Sequence, residues 1–140
     1  MILDGKMYKK KGFTLIELLV VLVLISLLAG LVGPRLFNQV GSSKTKVARA
    51  QVELLVSAVN TYRLDTGELP TTAQGLQALM IMPDGVRGWN GPYLAKDLPL
   101  DPWNRPYHYE LKPGYDFALY SLGRNGEKGG EGEDEDVGKF

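Results

Sequence analysis

Lys11-Gly12-Phe13-Thr14-Leu15-Ile16-Glu17, running directly into Leu18-Leu19-Val20-Val21-Leu22-Val23-Leu24-Ile25, is the stretch that decides the fold. Lys6, Lys9, Lys10 and Lys11 precede Gly12, and from Gly12 to Pro34 the 23 residues contain one charged group, Glu17. About 20 mostly apolar residues suffice for a helix to cross a bilayer, so this stretch is long enough to span. The lysines before it favour a cytoplasmic N-terminus, which puts everything after Arg35 on the opposite face. A secretory signal peptide has the same basic-then-apolar order, but its apolar region runs only about 7–15 residues. Glu17 also argues against a plain signal peptide, because a carboxylate at such a depth costs about 2.5–3.5 kcal/mol on insertion scales.

An ionisable group inside a membrane segment marks a functional site whose partner has to be named. No Lys or Arg lies within one or two turns of Glu17 on the membrane side. Proteolysis after Gly12 would create a partner, the α-amino group of Phe13. In an assembly of identical chains, Glu17 of one subunit could then neutralise the Phe13 ammonium of its neighbour. The plain alternative is a tolerated glutamate that snorkels to the interface.

The rest of the chain has a different character. Of its 140 residues, 16 are Lys or Arg, 16 are Asp or Glu, and none is Cys. Residues 1–63 carry nine basic and three acidic groups, a net of +6, and residues 64–140 carry seven and thirteen, a net of −6. That division speaks for two environments rather than one nucleic-acid-binding surface. The absence of cysteine excludes a disulfide framework and a thiolate metal site. Pro34 is placed to break or kink a helix. Beyond Gly41-Ser42-Ser43, apolar residues recur at Ala48, Val52, Leu55, Val59 and Tyr62, one face of an amphipathic helix that needs a sheet to cover it. Gly67 is a plausible C-cap. A helix from Phe13 to about Thr66 would be roughly 80 Å long at 1.5 Å per residue.

Past residue 67 the pattern predicts a small, loop-rich head. Thr71-Thr72-Ala73-Gln74 fits a capping box, so a short helix is expected over about Ala73–Met80. Eight Pro and Gly residues between Pro83 and Pro106 exclude a long element there. Strand-like runs follow at Tyr107–Leu111 and Tyr115–Ser121, with Lys112-Pro113-Gly114 as the hairpin turn. Two or three strands on one amphipathic helix make an α+β head. From Glu127 to Asp136 the tail holds six acidic residues and one lysine. It reads either as a solvated acidic segment or as a calcium loop, with hard oxygen ligands on a glycine-rich backbone. It lacks EF-hand spacing, and Gly129–Asp134 resembles a single nonapeptide calcium repeat, a unit that works only in tandem.

At residues 11–17 and the run behind them, the chain resembles the class III signal shared by type IV pilins and type II secretion pseudopilins. Further matches are Gly67-Glu68-Leu69-Pro70-Thr71, Gln74-Gly75-Leu76-Gln77-Ala78-Leu79, Trp89-Asn90-Gly91-Pro92-Tyr93-Leu94, Asp101-Pro102-Trp103-Asn104-Arg105-Pro106-Tyr107 and Tyr120-Ser121-Leu122-Gly123. These narrow the resemblance to the major pseudopilins, the general secretion pathway protein G family. Type IV pilins typically close their C-terminal region with a disulfide, which a cysteine-free chain cannot form.

The resemblance implies an α+β, type IV pilin-like fold. Its parts would be a leader at 1–12 that is removed, a transmembrane and filament-core helix at 13–34, an amphipathic continuation at 35–66, and a periplasmic head at 67–140. It implies cleavage after Gly12 and N-methylation of Phe13 by a prepilin peptidase, with Glu17 serving assembly. The product would be an inner-membrane, single-pass homopolymer. It would be built by an assembly platform and its ATPase, joined by minor pseudopilins, and would push folded exoproteins through an outer-membrane secretin. It also implies a structural Ca²⁺ held by the Leu122 carbonyl, the Asn125 side chain, Asp136 and the Val137 carbonyl, with Asp134 and Glu135 as further candidates. The family usually has aspartate where this chain has Asn125, a neutral ligand that lowers the charge at the site.

Other function classes have little to stand on. His108, the only histidine, alternates with Tyr107 and Tyr109 in a strand and reads as a strand side chain rather than a general base. No nucleophile elbow, Walker or dinucleotide motif is present, and nothing singles out Asp97, Asp101 and Glu110 as a catalytic set. The runner-up readings are a type IV pilin or a membrane-anchored binding or adhesion module. A stable monomer with ligand affinity would favour the latter.

Overall fold

The computed structural model describes Gly5 and residues 9–140, so most of the expected leader lies outside the described residues. The described chain falls into two units, the first ending at Asn38 and the second covering Gln39–Phe140. One helix, α1 (Leu15–Thr66), contributes to both, starting two residues after the predicted Phe13 and continuing through Pro34. It stops at Gly67, whose φ of +79° fits the left-handed cap and whose N–H donates to the Arg63 carbonyl at 2.8 Å.

In the second unit the predicted stripe is the core. Ala48, Leu55 and Val59 are completely buried, Val52 and Tyr62 nearly so, and Ala58 joins them. All but Ala48 pack with Leu69, Leu76, Leu79, Leu94, Tyr107, Phe117 and Leu119 in one cluster. Truncating one such residue, as in Leu55→Ala, removes both transfer energy and packing, about 2–5 kcal/mol.

The sheet is antiparallel, with β1 (His108–Lys112), β2 (Asp116–Ser121) and β3 (Val137–Lys139) in that order. β1 starts one residue later than predicted, because Tyr107 turns into the core and its hydroxyl donates to Gln51 Oε1. Burial, with the Asp101 charge adding, pushes the Tyr107 phenol pKa up, so it remains a neutral donor. The segment expected to be a short helix at 73–80 is a 3-10 helix, Gly75–Leu79. Its capping box is present: Thr71 Oγ1 accepts from Gln74 N–H at 3.1 Å and Gln74 Oε1 accepts from Thr71 N–H at 2.9 Å. Aromatic anchors order the breaker-rich segment after it. Trp89 Nε1 donates to the Ala78 carbonyl at 2.8 Å, and the Tyr93 ring meets Tyr62 and Trp89 edge-on at 5.7 and 5.6 Å.

Candidate functional site

Two places concentrate chemistry that the core does not need. The first is the start of α1. Thr14 is its N-cap, and Glu17 lies three residues on. Thr14 Oγ1 accepts from the Glu17 N–H at 3.3 Å, and Glu17 Oε2 accepts from the Thr14 N–H at 3.5 Å. This reciprocal box satisfies two donors at a helix end. Thr14-Leu15-Ile16-Glu17 carries the signature in sequence, yet it is easily passed over once Glu17 is weighed only as a membrane charge. The box parks the carboxylate at the N-terminal end of the helix, beside Phe13. Phe13 itself is 83% exposed. A Cβ on Gly12 would meet nothing within 4 Å, so the chain's own fold places no demand for glycine there.

The apolar segment behind the box is uncovered. Leu18, Leu22, Ile25, Leu28, Leu31 and Leu36 each expose half or more of their surface, and no part of the most apolar 18-residue window is buried. α1 is therefore long and apolar enough to cross a membrane, and in the single chain nothing shields it.

The second place is the C-terminal loop between β2 and β3. The register Ser121↔Val137 sets Leu122 and Asp136 at the adjoining strand ends, so the two ends of the loop meet. Gly123 closes the approach: its φ is +71°, and a Cβ there would lie 2.7 Å from the Glu135 carbonyl oxygen and 2.8 Å from that of Glu133. A buried carboxylate anchors this end. Asp101, 3% exposed, accepts from the Trp103 and Arg105 N–H groups at 3.0 and 2.8 Å with Oδ1 and from the Ser121 hydroxyl at 2.7 Å with Oδ2. Ser121 Oγ in turn accepts from the Gly123 N–H at 3.2 Å. Asp101 is thus a scaffold residue, while Asp97 and Glu110 are exposed. Its role was readable from Asp101-Pro102, since Asp favours hydrogen bonds to its own following backbone.

The acidic residues of the loop have different occupations. Arg124 holds Glu133 at 2.9 Å and Asp134 at 2.9 Å, and the Asp134 hydrogen bond, with its charge, raises the Arg124 pKa. Such an exposed pair adds little stability, but it occupies both carboxylate oxygens of Asp134. Glu133 also lies over Gly41 of α1, filling the space a side chain would take. The Asn125 Oδ1 accepts from the Glu127 N–H at 3.1 Å, and Glu135 is exposed. Asp136 differs from all of these: Oδ2 accepts from the Gly129 N–H at 2.9 Å, while Oδ1 is buried without a partner. A buried, unpartnered carboxylate oxygen is costly unless a donor or a cation completes it. Among the described residues no group of three or more His, Cys, Asp or Glu is gathered as a metal cluster. A hard cation here would have to rely on carbonyl and amide oxygens, which suit calcium. His108 lies on the outer sheet face in β1, exposed and stacked on Tyr120 at 5.2 Å, as an ordinary strand side chain.

Known proteins share this combination. Residues 35–140 match the family described as "Type II secretion system (T2SS), protein G", and residues 7–33 match the "Prokaryotic N-terminal methylation motif". The type II secretion system core protein G of Pseudomonas aeruginosa is 41% identical over 137 residues, covering 94% of this chain and 96% of its own length. That of Vibrio cholerae serotype O1 is 39% identical over 140 residues, covering 96% and 94%. The crystal structure of the major pseudopilin from the type 2 secretion system of enterohaemorrhagic Escherichia coli superimposes with a TM-score of 0.59 at 28% identity, covering 74% of this chain and 92% of that one. With an uncovered apolar helix at one end and a cysteine-free α+β head at the other, the chain belongs to the type II secretion system protein G family, whose members are structural pseudopilins rather than enzymes.

Proposed function

We propose that the chain is cut after Gly12 by a prepilin peptidase, N-methylated on Phe13, and polymerised into a periplasm-spanning pseudopilus. The filament grows from the inner membrane, with the N-terminus cytoplasmic before cleavage and the head periplasmic. An assembly platform and its ATPase add subunits, minor pseudopilins join them, and the filament helps push folded exoproteins through the secretin. The observation that carries this reading is the uncovered apolar half of α1 inside the stretch that matches the methylation motif. In water that surface would drive aggregation; in a bilayer it is solvated by lipid, and in a filament by the same helix of other subunits. Glu17, already held beside Phe13 by its capping box, is positioned to meet the Phe13 ammonium of a neighbouring subunit. At low dielectric such a pair is far stronger than in water.

The same proposal gives the C-terminal loop a structural calcium ion. The unpartnered Asp136 oxygen supports it, with the Leu122 and Val137 carbonyls and the Asn125 amide oxygen as the remaining donors. Glu135 remains a candidate, whereas Asp134 would have to leave Arg124. Intact-mass measurement of the membrane-extracted protein, from cells with active prepilin peptidase, tests the processing. A mass beginning at methylated Phe13 is expected, and an unprocessed Met1 form would contradict it.

A further inference from the structure

Two Asn-Gly pairs occur in the chain, Asn90-Gly91 and Asn125-Gly126, and their glycines pack against different kinds of side chain. Gly91 is wedged between rings: a Cβ there would lie 2.7 Å from Trp89 Cζ2 and 2.9 Å from Tyr93 Cδ2. The Asn90 N–H is also tied to the Tyr93 hydroxyl at 2.8 Å, so this backbone cannot turn without unpacking two aromatics. Asn90 and Asn125 are both exposed, but Asn125 sits in the turn that follows β2, where the side chain nearest its glycine is Arg105 rather than two rings. Its Oδ1 accepts from the Glu127 N–H at 3.1 Å, which draws electron density from Cγ. The Arg105 guanidinium lies against Gly126, with Cζ 2.8 Å and Nη1 2.9 Å from where a Cβ would be, and Nη1 donates to the Gly123 and Arg124 carbonyls at 2.9 Å each. A cation held by two backbone carbonyls therefore lies against Gly126, where it favours the loss of the Gly126 N–H proton that must precede attack.

We propose that Asn125 is a self-modification site at which the encoded amide becomes a carboxylate after synthesis. The Gly126 backbone nitrogen, giving its proton to solvent, attacks Cγ of Asn125. A C–N bond forms, closing a five-membered succinimide, and the bond from Cγ to the side-chain nitrogen breaks, releasing ammonia. One water then opens the ring at either carbonyl, leaving aspartate or isoaspartate. The net change is amide and water to carboxylate and ammonium, with no oxidant or cofactor. Glycine at 126 offers no side chain to obstruct the attack. The modified loop carries one more negative charge. In a consequence that rests on the calcium reading above, the aspartate form offers a charged ligand in place of the neutral amide oxygen.

The test is to incubate freshly purified full-length protein in detergent and ¹⁸O-labelled water, in mildly acidic and mildly alkaline buffer, and to map the peptides by mass. Conversion with ¹⁸O uptake at Asn125 is expected several-fold faster than at Asn90, faster in alkali, and as a mixture of aspartate and isoaspartate. An Asn125 amide that lasts as long as that of Asn90, or conversion to aspartate without isoaspartate, would overturn the proposal. Asn125→Gln should abolish the new acidic charge variant seen on ion exchange, and its persistence would also overturn it. Because the mass readout needs no cation, a failure of Asn125→Asp to bind calcium more tightly than the fresh protein would count against the calcium reading alone.

Discussion

At the scale of single residues, Glu17 carries two duties that can be separated. Its carboxylate closes the cap with Thr14 and, as proposed, pairs with a neighbour's Phe13 ammonium. Glutamine can fill the same capping position but carries no charge. Glu17→Gln should therefore keep the helix start and membrane insertion yet lower the yield of sheared filaments as far as Glu17→Ala does. Filaments at wild-type yield from Glu17→Gln would show that the charge is not used. Asp101 is the opposite kind of residue, serving only the head. Asp101→Ala strands the Trp103 and Arg105 N–H groups and the Ser121 hydroxyl, and should destabilise the head by roughly 2–4 kcal/mol in urea unfolding. Both residues were visible as acids in the sequence. Glu17's capping partner was legible in Thr14-Leu15-Ile16-Glu17, whereas the Asp101–Ser121 contact was not, because it depends on folding across 20 residues.

At the scale of elements, the helix face was legible because Ala48, Val52, Leu55, Val59 and Tyr62 repeat at the α-helical period, and the strand face follows from alternation at Tyr107 to Leu111. β3 was not legible. Val137-Gly138-Lys139 is three residues long, sits behind an acidic run, and becomes a strand only by pairing with β2. Lys139 fastens it, lying 4.4 Å above the Phe117 ring and donating to the Asp116 carboxylate and the Phe117 carbonyl. That hydrogen bond, foremost, holds the Asp116 pKa below the usual carboxylate range. A depressed folded-state value gives stability that is present at neutral pH and lost as the pH falls through that value. Lys139→Met should thus speed amide exchange in β3 at neutral pH, and the difference from wild type should shrink in acid. The loop before β3 carries the calcium prediction. The midpoint of thermal unfolding should rise from chelator to millimolar calcium and much less with magnesium, which resists losing its water shell. An unchanged midpoint would leave the loop as an acidic segment fixed by Arg124 alone.

At the scale of the whole molecule, the sequence divides by charge and apolarity into the same kinds of surface that the structure displays. The basic N-terminal half begins with an apolar helix with nothing over it, and its later turns supply Val52, Leu55, Val59 and Tyr62 to the core that the acidic C-terminal half completes. The uncovered helix calls for a cover other than water, which on the proposed function the membrane and then neighbouring subunits supply. The most direct measurement is to express the chain with a type II assembly platform, its ATPase and prepilin peptidase, shear the cells, and examine the released material by electron microscopy and mass spectrometry. Filaments built of this chain, beginning at methylated Phe13 and absent when Gly12 is replaced by a bulky residue, are the predicted result. A stable membrane monomer that retains Met1 under those conditions would contradict the account.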